Sequence, residues 1–486
     1  MFRQALLTGR LDARGDLTTM LAGIGLTAVA VLGASRYGTA FGLGVTLALV
    51  LFVAMTVCFL AAPHVAFAVA IPLFAFIPAL KIFAGYWVGP VKDGVTLAAA
   101  LATALHVLQR DGRRTLERTD GLVLGAVSVL VLLYVLNLGG LSTDSWHGDE
   151  WLHGVRLTVE PLLLLLAGLL LPQPRRTMKW VAASLVVTGC IVAAYGLFQQ
   201  VVGDHWLADH GYSYEQQLRR IGRQLRSFGT LDDSFAYAAF LFLALVAVVF
   251  WMRRSWLSWA CAILIAVGIT ASIVRTAAAV ASALLALWLV RAGQMAAGVI
   301  LMAATLAMGL ALGLTAAPAT ATEAKTVRAG PSTYLTLNGR TSAWATIFED
   351  ESKIPLGQGV GAVGTASLRA KIGITEVSGS PGHSKEGSKA VDSGYLAVVA
   401  DVGIAGLVFL LLLFVRMAAL AQRAARAPGG GTAGWLCLGC LTVLLLDALT
   451  RDSFTGFPIA YIGFLLVGVT LAVARDEAHE RLATAR

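Results

Sequence analysis

SGYLAVVADVGIAGLVFLLLLF, residues 393–414, carries a single charged side chain, Asp401. A hydrocarbon core about 30 Å thick is crossed by about 20 predominantly apolar helical residues, so this stretch reads as a membrane span. Runs of the same character fall near 18–34, 38–61, 63–80, 93–109, 120–138, 156–172, 180–202, 233–251, 256–272, 276–290, 296–315, 434–450 and 457–474. With 57% hydrophobic and 13% charged residues and a mean hydropathy of +0.76, the whole chain is too apolar for a soluble protein of its size. The expected fold is all-α: one transmembrane helical domain, 1–486, of about 12–14 spans. Long polar loops interrupt it at 203–232 and 316–391.

The net charge of +9 does not point to nucleic acid, because the basic residues flank spans. Threading the chain from a cytoplasmic N-terminus puts Arg110/Arg113/Arg114/Arg118, Arg175/Arg176/Lys179, Arg253/Arg254, Arg416/Arg423/Arg426 and Arg475/Arg481 on one side, the positive-inside pattern. Both termini are then expected in the cytoplasm and the loops 139–155, 203–232 and 316–391 outside, away from ATP. The N-terminus lacks a small-residue cleavage site after a short apolar core, so it reads as retained. The five cysteines all lie in apolar runs; Cys437 and Cys440 read as small packing residues within a helix. No acidic cluster has the spacing of a metal site.

Just upstream of the opening stretch stands NGRTSAWATIFEDESKIPLGQGVGAVGTAS, residues 338–367. Its first part suits a short helix on which Arg340, Trp344 and Phe348 share a face; Pro355 and the glycines then predict a turn-rich loop. In QQLRRIGRQLRSFGTLDD, 216–233, Arg219, Arg223 and Arg226 fall at i, i+4 and i+7, with Leu218, Ile221 and Leu225 on another stripe. That spacing predicts an amphipathic helix at the membrane surface, its arginines either snorkelling or clamping an anion. Arg275, in the tight turn SIVRT, has the same two readings. Arg156 and Glu160 stand at i, i+4 and suit mutual neutralisation. Asp232 and Asp233 suit an N-cap, and Asp447, Arg451 and Asp452 end a span near the same face. Trp146, His147 and Trp151 suit sugar stacking or an interfacial belt. His383 reads as a solvated loop histidine. Asp392 and Asp401 lie nine residues apart, about 13–14 Å along a helix and half a turn round, so they do not read as a catalytic pair.

Three of these motifs together carry a resemblance. Gly339-Arg340 with Trp344, then Pro355-Leu-Gly357-Gln-Gly359, then Asp392-Ser-Gly-Tyr395-Leu396 with Gly403 and Gly406, resemble the bacterial O-antigen ligase and polymerase superfamily. The segments around Arg226 and Arg275 look like that family's Arg-x-x-Gly-x-Phe and Ser-Arg-Gly-Ala regions. The resemblance implies a GT-C-like membrane glycosyltransferase whose donor is an undecaprenyl-pyrophosphate-linked oligosaccharide, with a flippase and a chain-length regulator as partners and no cofactor. Arg340 and Arg226, with Arg275, Arg223 and Arg219, would hold the pyrophosphate. Arginine suits that task because its planar fork binds phosphate bidentately and keeps its charge, and fixed cations can stabilise a leaving phosphate without a metal. Asp392 would orient or deprotonate the incoming hydroxyl, with Trp344, Tyr395 and His383 near the sugars. Ligases of the family usually carry His-Asn where this chain has Asp392-Ser393, which inclines the reading towards a polymerase of repeat units. A ligase acting on a lipid or protein acceptor is the alternative within the class. A flippase or transporter, or a structural scaffold, is the alternative outside it. A transporter is expected to line the midplane with polar groups and to show paired broken helices.

Overall fold

A computed structural model describes residues 39–84, 88–142, 148–212, 218, 220–221, 224–252, 255–274, 276–301, 354–361, 393–427 and 431–484. Each apolar run within these ranges is a helix. In chain order the helices are α1 (Thr39–Ala61), α2 (Pro63–Ala84), α3 (Val91–Leu108), the polar α4 (Arg110–Arg118), α5 (Gly121–Leu136), α6 (Leu138–Ser142) and α7 (Gly148–Leu169). Then come α8 (Pro174–Asp209), α9 (Ser234–Trp251), α10 (Trp256–Ala271), α11 (Thr276–Arg291), α12 (Gly394–Ala425), α13 (Thr432–Asp447) and α14 (Ile459–Thr484). Among the described residues eight helices are long and apolar enough to cross a membrane, and four shorter apolar helices accompany them. The protein is an all-α polytopic membrane protein. The runs expected at 18–34 and, beyond residue 301, at 296–315 lie outside the described residues.

Burial follows from composition. Every residue of α14 from Ile459 to Ala474 is buried, and α9 is almost as enclosed, because both are apolar on all sides and can sit inside a bundle. The crossing of α7 and α14 depends on two glycines. A Cβ on Gly468 would lie 2.4 Å from the Leu165 carbonyl, and one on Gly168 would lie 2.8 Å from the Val469 amide, so the backbones meet through small residues. The outer helix faces remain apolar yet uncovered by protein: Trp256 is 81% exposed and Leu122 67%, as lipid contact requires.

One expectation is overturned. The segment expected as a basic amphipathic helix contains an antiparallel hairpin, β1 (Arg220–Ile221) with β2 (Gln224–Leu225), in register Arg220↔Leu225 and Ile221↔Gln224. Alternation buries Leu225 and exposes Gln224. Leu218 and Leu225 pack with Leu207, Tyr212 and Phe228 in a small satellite core, and that packing outweighs the helical spacing of the arginines.

The charged groups separate to the two ends of the bundle. At one end Arg416 pairs with Asp120, Arg175 with Glu480, and Arg475 donates to Thr119 Oγ1 and the Leu169 carbonyl, each at 2.9 Å. The opposite end gathers the first turns of α3, α9, α12 and α14 and the last turns of α5, α8 and α13.

Candidate functional site

At that second end α12 is broken. Gly403 has φ 74° and ψ −174° inside the helix, a conformation open to glycine and strained for other residues. Residues 354–361, IPLGQGVG, are seated in the break. The Ile404 amide donates to the Ile354 carbonyl at 3.0 Å and the Gln358 amide to the Ala400 carbonyl at 2.6 Å. The loop therefore supplies the partners that the interrupted helix loses, as an apolar surrounding demands. A Cβ at Gly403 would stand 2.1 Å from the Pro355 carbonyl. Two side chains finish the seat: Asn137, the left-handed C-cap of α5, accepts from the Val360 amide at 2.7 Å, and Asp401 accepts from the Gly361 amide at 3.1 Å. Asp401 is thus held by the inserted loop, and the Pro-x-Gly-x-Gly turn expected from sequence joins α5, α7 and α12.

The start of α12 is fixed against the turn after α13. The Gly394 amide donates to both the Ala448 and Arg451 carbonyls at 2.8 Å, and Ser393 Oγ donates to Ala448 at 3.3 Å. Tyr395, expected near the acceptor, donates its hydroxyl to the Leu445 carbonyl at 2.8 Å and stands edge-on to Phe454, so it acts as a strut between α12 and α13. Arg451 lies 3.4 Å from Asp233, and Asp233 also caps α9 by accepting from the Ala236 amide at 2.7 Å. Burial works against the Arg451 charge, but Asp233, Asp447, Asp232 and Asp452 outweigh it and hold the guanidinium firmly protonated. Burial also raises the Asp452 carboxyl to about 6, against the opposing effects of Thr455 and Arg451. Arg451 Nη1, Asp452 Oδ1, Thr450 Oγ1 and Ser234 Oγ are enclosed and find no hydrogen-bond partner among the described residues.

Arg226 stands beside the turn between α10 and α11. Its Nε donates to the Ser272 carbonyl at 3.2 Å, and its guanidinium lies 4.7 Å from the centre of the Phe235 ring. Residues around it are pinned on three sides. Gln199 accepts from the Phe228 and Gly229 amides at 3.1 and 2.9 Å. The Ser227 amide donates to Ala271 at 3.0 Å. Thr230 enters α2 near Pro78, where its hydroxyl donates to the Ala75 carbonyl at 2.9 Å and its carbonyl accepts from the Ala79 amide at 3.1 Å.

A fourth group escaped the sequence reading. Lys92, only 2% exposed, donates to Glu160 at 2.7 Å and to the Tyr461 hydroxyl at 2.8 Å, and pairs with Asp93. Tyr461 donates in turn to Glu160. Arg156 pairs with Asp93 and lies 3.8 Å from Glu160, so the expected Arg156–Glu160 pair is one edge of a five-residue network across α3, α7 and α14. The available signal was a Lys-Asp pair opening an apolar run, since buried ionisable groups in membrane helices mark function or pairing by default.

Of the residues that the family resemblance assigns to the site, the structure describes Arg226 and Tyr395. Arg340, Trp344, Asp392, His383, Arg219, Arg223 and Arg275 lie outside the described residues. Among the described residues no three His, Cys, Asp or Glu side chains could together hold a metal ion. No model of a known protein family matches the chain, and no curated protein matches it.

Proposed function

We propose that this chain is a membrane glycosyltransferase that extends oligosaccharide repeat units carried on undecaprenyl pyrophosphate, at the outer face of a bacterial cytoplasmic membrane. The observation that carries the reading is the convergence at one end of an apolar bundle. There the loop containing Pro355-x-Gly-x-Gly meets the break in α12, and Arg226 and Arg451 lie in the neighbouring segments. The motif resemblance supplies the chemistry. Arg340 and Arg226, with Arg275, Arg223 and Arg219, would bind the donor pyrophosphate and neutralise the charge that develops as the glycosidic C–O bond breaks. Asp392 would take the proton of the attacking hydroxyl, while Trp344 and His383 would contact the sugars.

The test is glycan extension by purified protein on a lipid-pyrophosphate-linked repeat unit, with and without EDTA. A ladder of longer lipid-linked products that survives EDTA is expected, with turnover reduced about 10²–10³-fold in Arg340→Ala and Asp392→Ala. Transfer off the carrier lipid onto an added lipid or protein acceptor would make the protein a ligase. A second reading, a flippase of lipid-linked glycans, has one observation in its favour. Helices α8 and α12 are both interrupted by glycine at nearly the same dihedrals, Gly203 (76°, 175°) and Gly403 (74°, −174°), and transporters use such pairs at a midplane site. Against it, both breaks lie toward the end that carries Arg226 and Arg451. Movement of the labelled lipid across a vesicle membrane without any new glycosidic bond would establish the flippase.

A further inference from the structure

The basic end of the bundle holds a cavity of about 390 Å³ between the α4–α5 junction, α12 and α14. Its inner wall is apolar, formed by Val123, Leu420 and Leu471, and its rim carries Arg118, Arg423, Arg475, Arg481 and His479. Four carboxylates nearby are already engaged. Asp120 is held by Arg416, whose hydrogen bonds keep the carboxyl below its ordinary range. Asp476 is paired with Arg475, Glu477 with Arg481, and Glu480 with Arg175. Among the described residues Arg118 and Arg423 have no such partner, and both are exposed at the rim. The site thus combines two uncompensated guanidinium groups with an apolar wall leading between helices.

We propose that this cavity binds one anionic glycerophospholipid of the surrounding bilayer, its phosphate between Arg118 and Arg423 and the first methylenes of its acyl chains against Leu420 and Leu471. A cavity of this size suits a headgroup with the start of its chains, and basic pockets between membrane helices select anionic headgroups by charge. Free inorganic phosphate would satisfy the rim and leave the apolar wall unfilled. A zwitterionic lipid would fill the wall and leave the rim charge unbalanced. The inference does not depend on the glycosyltransferase reading.

The experiment is native mass spectrometry of the delipidated full-length protein titrated with phosphatidylglycerol or with phosphatidylcholine of the same chains. The expected result is one phosphatidylglycerol held about tenfold or more tightly than phosphatidylcholine. That preference should fall to near unity in Arg118→Gln/Arg423→Gln and persist in Arg113→Gln/Arg426→Gln, which removes the same charge from the same end. Size-exclusion profiles matching wild type establish that both variants are folded. Equal binding of the two lipids, a preference retained in the first variant, or equal losses in both variants would overturn the proposal. Displacement of the lipid by millimolar inorganic phosphate would also overturn it, by making the rim a free-anion site.

Discussion

Lys92 shows how much a membrane bundle can depend on one amine. Enclosed at 2% exposure, it is neutralised by Asp93 and Glu160 and shares Tyr461 with the latter. Removing one member of a buried charge network leaves the rest uncompensated, at a cost of about 3–5 kcal/mol. Lys92→Met is therefore expected to lower the melting temperature of the detergent-solubilised protein sharply, and Lys92→Met/Glu160→Gln to recover most of that loss. A double variant as unstable as the single one would show that the two side chains are not coupled. Asp452 gives a pH signature of the opposite kind. Its folded pKa, about 6, lies above the ordinary aspartate value of 3.8, so between these limits the folded state binds more protons than the unfolded state. Its contribution to stability therefore grows as pH falls from 6 towards 4 and is lost as pH rises through the folded value. The bound is about 3 kcal/mol. Wild type should melt higher at pH 5 than at pH 7.5 by a margin that shrinks in Asp452→Asn; an unchanged margin would assign the pH dependence to another group.

At the scale of elements, helices differ in how they tolerate a side chain. A Cβ at Gly403 meets the Pro355 carbonyl at 2.1 Å on a backbone at φ 74°, whereas one at Gly125 in α5 meets nothing within 4 Å. Gly403→Ala should destabilise by more than about 1 kcal/mol and loosen the 354–361 seat, read as faster hydrogen exchange of the Gln358 and Ile404 amides. Gly125→Ala should be neutral or stabilising by up to about 1 kcal/mol. Equal effects would mean that the seat is not strained by a side chain. The contrast also marks what sequence can reveal. An apolar run such as 233–251 announces a span through composition alone. A helix break announces itself only when its partners are known: Gly403 reads as one more small residue in a span until Ile354, Gln358 and Asn137 are brought to it from far along the chain. The hairpin at Arg220–Leu225 was hidden for a related reason. Its arginines keep helical spacing, while the contact that matters, Leu225 against Leu207 and Phe228, is tertiary.

Across the whole molecule the separation of charge was the most legible property, since the positions of the basic clusters at 110–118, 175–179, 416–426 and 475–481 between apolar runs are enough to place them on one side. Of the candidate site's motifs the structure describes the Pro355 turn, whose connections were opaque in the sequence. Pro355-x-Gly-x-Gly could be named, but its attachment to Asn137 and Asp401 could not, nor could the Lys92 network, which joins residues 369 positions apart. Charge separation also predicts orientation, because short basic loops are retained on the cytoplasmic side. Leu356, in the seated loop, is 43% exposed and Leu482, near the end of α14, is 64% exposed, and they lie at opposite ends of the bundle. In intact cells, Leu356→Cys should react with a membrane-impermeant maleimide directly, whereas Leu482→Cys should react only after permeabilisation. The native cysteines are replaced by alanine so that the signal belongs to the introduced thiol. The reverse pattern would turn the Pro355 loop towards the cytoplasm, within reach of soluble nucleotide donors, and would remove the reason for expecting a lipid-linked one.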